Sequence, residues 1–403
     1  MSGAVIAWQC AAFRVSLPVL LVGGALFSPL AASPGDRFDS AKLEQMDTEI
    51  NRAIAEHRLP GGVLWLECRG SNYHKAFGFR ALVPKTEPMT EDTIFDAASL
   101  TKVLATTPAL MLLQERGKLT LDEPVATWLP EFRRGGKEAI TLRHLLTHTS
   151  GLSRSLRGNP DWSNLKKAIA LVCDEQPAHP PGSVFLYSDI NFIILGEAVQ
   201  RVSGMKLNDF AAREIYGPLR MRDTGYLPPA DKLPRVAPTE RLGRDVLRGK
   251  VHDPKAQRMG GIAGHAGVFT TAADVARYAR MMLNGGELDG VRIFKPETVK
   301  LMTTIQTPAS IKARRGLGWD IDSDYSRPRG AVFPIGSYGQ TGFTGVSLWI
   351  DPFSETFWIF LSNRVHPDQS GNIYPLQRTL GTLAAEAIQG FSFRDVPGAL
   401  APQ

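Results

Sequence analysis

Cysteine is scarce in this sequence, with three among 403 residues. Cys10 precedes an apolar N-terminal stretch and would leave with it if that stretch is an export signal. The other two could pair in an exported chain, but Cys68 falls on a predicted strand and Cys173 on a predicted helix far along the chain. We therefore favour two unpaired, buried thiols.

No spacing of Cys and His resembles a zinc site. His144 and His148 are four residues apart, but His148 falls at a helix end, where we expect a structural role.

Strong charge of either sign is also missing. The chain has 46 Lys and Arg against 40 Asp and Glu, giving a formal net charge of +6. The basic residues are scattered, and no basic run is interleaved with aromatic residues, which is the pattern of nucleic-acid binding. We expect a soluble, mildly basic protein with no nucleic-acid partner.

Long apolar runs are absent except at the N-terminus. Arg14 precedes an apolar stretch over residues 15–30, and small residues follow up to Ser33. This pattern predicts an export signal over residues 1–32, cleaved after Ala32, and a periplasmic or secreted protein. The alternative is an uncleaved anchor, although the run is short for a membrane span and is interrupted by glycine and proline. We expect no other contact with a membrane.

A Ser-x-x-Lys element, Ser99 and Lys102, precedes an apolar run over residues 103–113. A helix that is apolar on every side lies inside a protein, so we expect Ser99 at the first turn of a buried helix. Residues three apart share a helix face, which lets Lys102 reach the Ser99 hydroxyl. Serine needs such a neighbour to act as a nucleophile, and lysine can be the base if its pKa is lowered by burial.

The order of predicted elements indicates an α+β fold. Strands at both ends of the chain enclose a mainly helical middle, and we expect one antiparallel sheet built from both ends and covered by the first and last helices. The α/β part would span residues 40–95 and 315–390, and the helical part residues 96–314. Pro60-Gly61-Gly62 is expected to end the first helix. The predicted strands cover residues 63–68, 72–79, 317–321, 337–341, 346–351 and 356–362.

Two further segments contain residues that could take part in catalysis. Tyr187 lies just before a predicted helix, in Tyr-Ser-Asp, and a tyrosine there can transfer a proton if a cation such as Lys102 lowers its pKa. The segment 339–345, Gly-Gln-Thr-Gly-Phe-Thr-Gly, contains three glycines that flank a predicted strand. The backbone N–H groups of Phe343 and Ser99 could together form an oxyanion hole.

In this order the three pieces resemble the penicillin-recognising serine hydrolases. With Tyr-Ser-Asp as the middle element, the chain is most similar to class C β-lactamases, DD-peptidases and their esterase relatives over roughly residues 40–390. The resemblance implies a β-lactamase/transpeptidase-like fold and no cofactor or metal. Three other stretches contribute to it, at residues 145–152, 264–267 and 362–367.

The resemblance implies that Ser99 attacks a carbonyl and becomes acylated, while Lys102 and Tyr187 transfer its proton to the leaving group. It also implies four substrate-binding residues, which are Asp189, Gln340, Thr341 and Gly342.

Two of these positions depart from the family pattern. Asp189 stands where Asn is usual and would hold Lys102 protonated, leaving more of the base role to Tyr187. Gln340 stands where Lys or His usually helps to hold a substrate carboxylate, and a neutral amide binds a carboxylate more weakly than a cation does. Arg364 could compensate.

Three functions remain open at this stage. The first is an exported serine hydrolase acting on an ester or amide other than a good β-lactam, which Gln340 favours. The second is a β-lactamase or D-alanyl-D-alanine carboxypeptidase. The third is a non-catalytic binder of cell-wall fragments or β-lactams. The partner in each case is a small molecule or a peptide or ester substrate.

Overall fold

The computed structural model describes residues 1–2, 37–156 and 162–399. Residues 3–32 of the predicted export signal lie outside the described residues. Within the described part of the chain, no helix is long and apolar enough to cross a membrane.

The described α-helices are α1 Ser40–Ala55, α2 Thr107–Glu115, α3 Leu142–Leu146, α4 Leu165–Asp174, α5 Asp189–Ser203, α6 Leu207–Ala211, α7 Pro254–Arg258, α8 Ala272–Leu283, α9 Pro296–Thr303 and α10 Tyr374–Glu386. The described strands are β1 Gly61–Cys68, β2 Ser71–Ala81, β3 Glu87–Pro88, β4 Phe95–Asp96, β5 Gly225–Tyr226, β6 Arg241–Leu242, β7 Asp245–Val246, β8 Val268–Thr270, β9 Glu287–Leu288, β10 Val291–Arg292, β11 Arg314–Arg315, β12 Asp320–Asp322, β13 Tyr338–Gly342, β14 Val346–Asp351 and β15 Thr356–Ser362.

The main sheet joins the two ends of the chain, as the sequence predicts. Its order is β11-β12-β13-β14-β15-β1-β2-β3 among the described strands, and every neighbouring pair is antiparallel. Strand β1 pairs with β15 in the centre, with Trp65 opposite Ile359. The α+β fold is therefore confirmed. The division into residues 40–95 with 315–390 and residues 96–314 stays a prediction.

The alternation of side chains along β1 explains why both faces of the sheet are covered. Val63 and Trp65 point to the helical part of the molecule, whereas Leu64 and Leu66 join a second core formed with α1 and α10. Successive residues of a strand face opposite sides, so a continuous apolar strand requires a layer on each side. The prediction that the first and last helices cover one face is confirmed.

The prediction that Pro60-Gly61-Gly62 ends the first helix is wrong. Helix α1 already ends at Ala55, and both glycines belong to β1. A Cβ atom on Gly61 would lie 2.3 Å from the Phe77 carbonyl oxygen, and one on Gly62 would lie 2.6 Å from the Phe360 ring. These glycines allow neighbouring strands and rings to approach closely.

The helical middle contains a small sheet that the sequence does not predict, with the order β4-β8-β5. Its strands are two or three residues long, too short for an alternating pattern to appear. It matters for the site because β4 ends only three residues before Ser99. Cys68 and Cys173 are both buried and unpaired, as predicted.

Candidate active site

The turn that carries Ser99 is not the regular α-helix that the apolar run predicts. A 3₁₀ turn covers Ala98–Leu100, a π-helical segment covers Lys102–Thr106, and α2 begins only at Thr107. The Lys102 Nζ lies 3.0 Å from the Ser99 Oγ and donates a hydrogen bond to it across the junction of the two segments. The predicted contact between the two side chains is confirmed.

Close packing against β13 holds this turn in place. Ala98 has a φ of 43°, in the left-handed region that non-glycine residues rarely adopt. A Cβ atom on Gly342 would lie 2.7 Å from the Ala97 carbonyl oxygen and 3.1 Å from the Ala98 Cβ. Glycine at 342 is therefore what lets the strand approach the turn that carries Ser99.

Lys102 is fully buried and lies between three acceptors. Its Nζ lies 2.8 Å from the Asp189 Oδ1 and 3.3 Å from the His265 carbonyl oxygen, besides the Ser99 hydroxyl. Burial alone would lower the pKa of Lys102, but attraction to Asp189 and to the Tyr187 side chain outweighs burial and raises this pKa. Lys102 is thus an ammonium ion at neutral pH, as the sequence predicts from Asp189, and not a resting base.

The first turn of α5 positions Asp189. The preceding Ser188 has extended backbone geometry and donates its hydroxyl to the Ser153 carbonyl oxygen at 2.6 Å. The Asp189 N–H donates to the Arg154 carbonyl oxygen at 2.8 Å. A carboxylate in the first turn of a helix is favoured by the helix dipole, so the position stabilises the negative charge that Lys102 needs.

Tyr187 lies in a stack of aromatic rings beside Lys102. Its ring centroid is 4.4 Å from that of His148, 4.9 Å from that of Tyr325 and 4.9 Å from the Lys102 Nζ. The His148 Nδ1 accepts the Ser188 N–H at 3.1 Å. Burial, followed by Arg315 and Lys102, holds the pKa of His148 well below its usual range. His148 is therefore a neutral, fixed support for Tyr187, in line with the structural role expected from the sequence.

A cavity of about 420 Å³ opens over Ser99. Six predicted site residues line it: Ser99, Tyr187, Asp189, Thr341, Gly342 and Phe343. The sequence thus brings together residues from the 3₁₀ turn, the start of α5 and the end of β13. The oxyanion hole assigned to the N–H groups of Ser99 and Phe343 stays a prediction.

Gln340 does not line this cavity. Its side chain is 2% exposed, and its Oε1 accepts the Thr341 N–H at 3.3 Å. The Nε2 finds no hydrogen-bond partner among the described residues. The substrate-binding role of Gln340 stays a prediction, and in this structure any such role passes through Thr341.

Arg364 does not supply the missing cation. Its Nε donates to the Phe343 carbonyl oxygen at 2.8 Å and its Nη1 to the Gly371 carbonyl oxygen at 2.9 Å, and the residue is 7% exposed. It supports the Phe343 loop from behind. The suggestion that Arg364 compensates for Gln340 is therefore wrong.

A different arginine reaches the cavity. Arg327 lines the wall, lies 4.1 Å from the Tyr374 ring centroid and donates to the Asp324 carbonyl oxygen at 2.9 Å. No carboxylate pairs with it in the described part of the chain. Sequence reasoning missed it, because it begins a three-residue 3₁₀ turn between strands, which is too short to show a periodic pattern.

Sequence reasoning also missed most of the opposite wall, which consists of His252, Asp253 and His265. The His265 Nε2 lies 3.1 Å from the Asp253 Oδ1. Burial would raise the pKa of Asp253, but His265 outweighs it and holds that pKa well below the usual range. The segment 264–267, one of the stretches that resemble the family, includes His265 and is the sequence feature that could have indicated it. Among the described residues, no three His, Cys, Asp or Glu side chains are arranged to hold a metal ion.

Comparison with known proteins gives consistent matches. The model of a family described as beta-lactamase matches residues 44–381. An Escherichia coli K12 protein, named provisionally as a D-alanyl-D-alanine carboxypeptidase, is 31% identical over 92% of each chain. A Bacillus subtilis protein named N-acetylmuramyl-L-alanine amidase is 31% identical over 84% of this chain and 86% of its own. Of the solved structures, a class C β-lactamase gives a TM-score of 0.72 at 22% identity, covering 88% of this chain and 98% of its own.

Proposed function

Because the chain belongs to the β-lactamase family of serine hydrolases, we propose that it is an exported enzyme that hydrolyses an ester or amide through an acyl-enzyme on Ser99. The observation that carries the proposal is the 3.0 Å contact between the Lys102 Nζ and the Ser99 Oγ at the floor of a 420 Å³ cavity. A buried cation beside a serine hydroxyl stabilises the alkoxide that attacks the substrate.

The direction of the Lys102 hydrogen bond sets the proton path. Lys102 is held protonated by Asp189 and donates to the Ser99 Oγ, so the serine proton leaves in another direction. Tyr187, on the same cavity wall, relays the proton: its phenol gives its own proton to the leaving group as it takes up the serine proton. The Lys102 ammonium group, 4.9 Å from the Tyr187 ring centroid, stabilises the negative charge that develops on the Ser99 oxygen during this transfer.

Bond changes follow from these roles. The Ser99 oxygen forms a bond to the substrate carbonyl carbon, and the negative charge on the carbonyl oxygen is stabilised by the N–H groups of Ser99 and Phe343. The bond to the alcohol or amine then breaks, and that group leaves with the proton carried by Tyr187. Water hydrolyses the ester on Ser99 and restores the free hydroxyl.

A peptide ending in D-alanyl-D-alanine is the second candidate substrate. The names of the two relatives above support a cell-wall peptide, and Arg327 supports a substrate with a free carboxylate. Charge-assisted hydrogen bonds are about twice as strong as neutral ones. Export to the periplasm or outside the cell is consistent with such a substrate and with the signal predicted over residues 1–32. The retained Ser99–Lys102 contact argues against the non-catalytic binder.

The test compares three substrates: a short-chain aryl ester, a D-alanyl-D-alanine peptide and a penicillin. We expect turnover of the ester or the peptide, and its loss in Ser99→Ala. Ser183→Ala is the matched control, because its exposed hydroxyl only donates to the Pro180 carbonyl oxygen. Equal activity in Ser99→Ala and the unaltered protein would contradict the proposal. Efficient hydrolysis of the penicillin alone would replace it with a β-lactamase.

A further inference from the structure

A buried aspartate on β4 connects three segments around the catalytic cavity, two through its carboxylate and one through its backbone carbonyl group. Asp96 is 2% exposed. Its Oδ1 accepts the Ala98 N–H at 2.8 Å, its Oδ2 accepts the His252 N–H at 2.6 Å, and its carbonyl oxygen accepts the Thr344 hydroxyl at 2.8 Å. These bonds reach the turn before Ser99, the wall opposite it and the loop after Phe343.

Each of these segments carries part of the reaction. The bond to Ala98 fixes a residue with a φ of 43°, directly before the nucleophile. Backbone in this region is strained and persists only where its surroundings enforce it. His252 stacks on the Phe343 ring, with the centroids 5.6 Å apart, so its backbone bond also steadies the oxyanion loop.

We propose that ionised Asp96 is a positioning residue that keeps the Ser99 turn and the Phe343 loop in reactive geometry, and that protonation of Asp96 switches this geometry off. The proposal rests on the function proposed above. A carboxylate accepts hydrogen bonds at both oxygens, whereas the acid carries a proton on one oxygen and opposes a neighbouring N–H there. Loss of either bond releases the Ser99 turn or the His252 wall.

The surroundings place this switch in an accessible pH range. Burial raises the pKa of Asp96 to about 6, against the opposing effect of its backbone hydrogen bonds. The charged or titratable groups that act on it are His252 and Asp253, and Lys102 lies six residues further along the chain. Asp253 stays ionised near pH 6 because its pKa is lowered, and Lys102 stays protonated because its pKa is raised.

The chain offers a matched control in Asp351. This carboxylate is also fully buried, accepts the N–H and hydroxyl of Ser354, and has its pKa raised to about 6 by burial. It lies at the end of β14 and does not line the cavity. A general effect of buried carboxylates on stability would therefore appear in both variants, and an effect on the reaction only in Asp96→Asn.

The experiment measures kcat and KM on an aryl ester from pH 4.5 to 8.5 for the unaltered protein, Asp96→Asn and Asp351→Asn. In the unaltered protein and in Asp351→Asn we expect kcat to fall as the pH decreases through about 6. In Asp96→Asn we expect kcat to be about 10²-fold lower at pH 8, as for a small misplacement of reacting groups. Its KM should change little, and the inflection near pH 6 should be missing. A folded Asp96→Asn with unchanged kcat and the same inflection would overturn the proposal.

A second measurement needs no variant. Selective ¹⁵N labelling of alanine and histidine reports the amide shifts of Ala98 and His252 in the unaltered protein. We expect both to titrate with one midpoint near pH 6, and constant shifts between pH 5 and 8 would overturn the inference. Absence of any Ser99-dependent turnover would instead overturn the proposed function, and the catalytic meaning of Asp96 with it.

Discussion

A double-mutant cycle on Lys102 and Asp189 tests the electrostatics of the site. Lys102→Met removes the cation while conserving its approximate volume, and Asp189→Asn restores the amide that the family usually has at this position. The two charges lie 2.8 Å apart, with side-chain exposures of 0% and 28%. Comparing both single variants with the double variant isolates their interaction.

The expected coupling energy follows from distance and exposure. Two unit charges at 2.8 Å attract by about 6 kcal/mol at an effective dielectric constant of about 20. Water reaches Asp189, and the asparagine amide keeps one hydrogen bond, so we expect roughly 2–3 kcal/mol to remain. The position of Asp189 at the start of α5 limits the cost of leaving it unpaired in Lys102→Met.

The assay is guanidinium unfolding of the four proteins at pH 7, together with ester turnover. Because the pKa of Lys102 is raised from 10.5, its stabilisation is complete below that pH and is lost only as the pH rises through the folded-state pKa. The control is the same double-mutant cycle on the exposed ion pair Lys42–Glu386, whose charged atoms lie 2.6 Å apart. We expect a coupling energy of about 0–1 kcal/mol for that pair. A coupling below about 0.5 kcal/mol for Lys102 and Asp189, or a Lys102→Met enzyme with full turnover, would refute the assigned roles.

Three further outcomes are expected. Gly342→Ala should cost about 1–3 kcal/mol of stability and lower kcat, since the new Cβ atom would lie 2.7 Å from a backbone oxygen. In the control variant Gly225→Ala the new Cβ atom meets no atom within 4 Å, so kcat should stay unchanged. Thermal unfolding and ester turnover check both variants. Arg327→Gln should reduce kcat/KM about tenfold for a peptide with a free carboxylate and little for a neutral ester; equal losses would remove its specificity role. Cys68 and Cys173 should react with a thiol reagent only after unfolding, because burial shields both and raises their pKa values, that of Cys173 to about 11; rapid labelling of the folded protein would contradict this.

The sequence predicts the parts of this molecule that are governed by local pattern. Strands β14 and β15 have the expected bounds, because continuous apolar residues and flanking turn residues specify them. Ser99 and Lys102 are found together because a fixed spacing of three determines their contact. Thr341 and Gly342 are neighbours on the short strand β13, so their common position beside the cavity also follows from the local sequence.

What the sequence does not predict depends on contacts between distant residues. Tyr325 lies in a loop and Arg327 in a three-residue 3₁₀ turn, neither of which has a periodic pattern, yet both reach the cavity. The effect of Asp189 on the pKa of Lys102, across 87 residues of chain, is predicted only through the family resemblance and not from any local pattern. The burial of Gln340 and the use of Arg364 as a loop support follow from packing that becomes visible only in three dimensions.

The most direct test of the central claim is intact-protein mass spectrometry after exposure to a fluorophosphonate, with peptide mapping. We expect one adduct per chain, located on Ser99, formed more slowly in Lys102→Met and absent from Ser99→Ala. Parallel exposure to a penicillin reports whether the cavity also accepts a carboxylate-bearing acyl donor. An unlabelled chain, or an adduct that persists in Ser99→Ala, would contradict the assignment of Ser99 as the nucleophile.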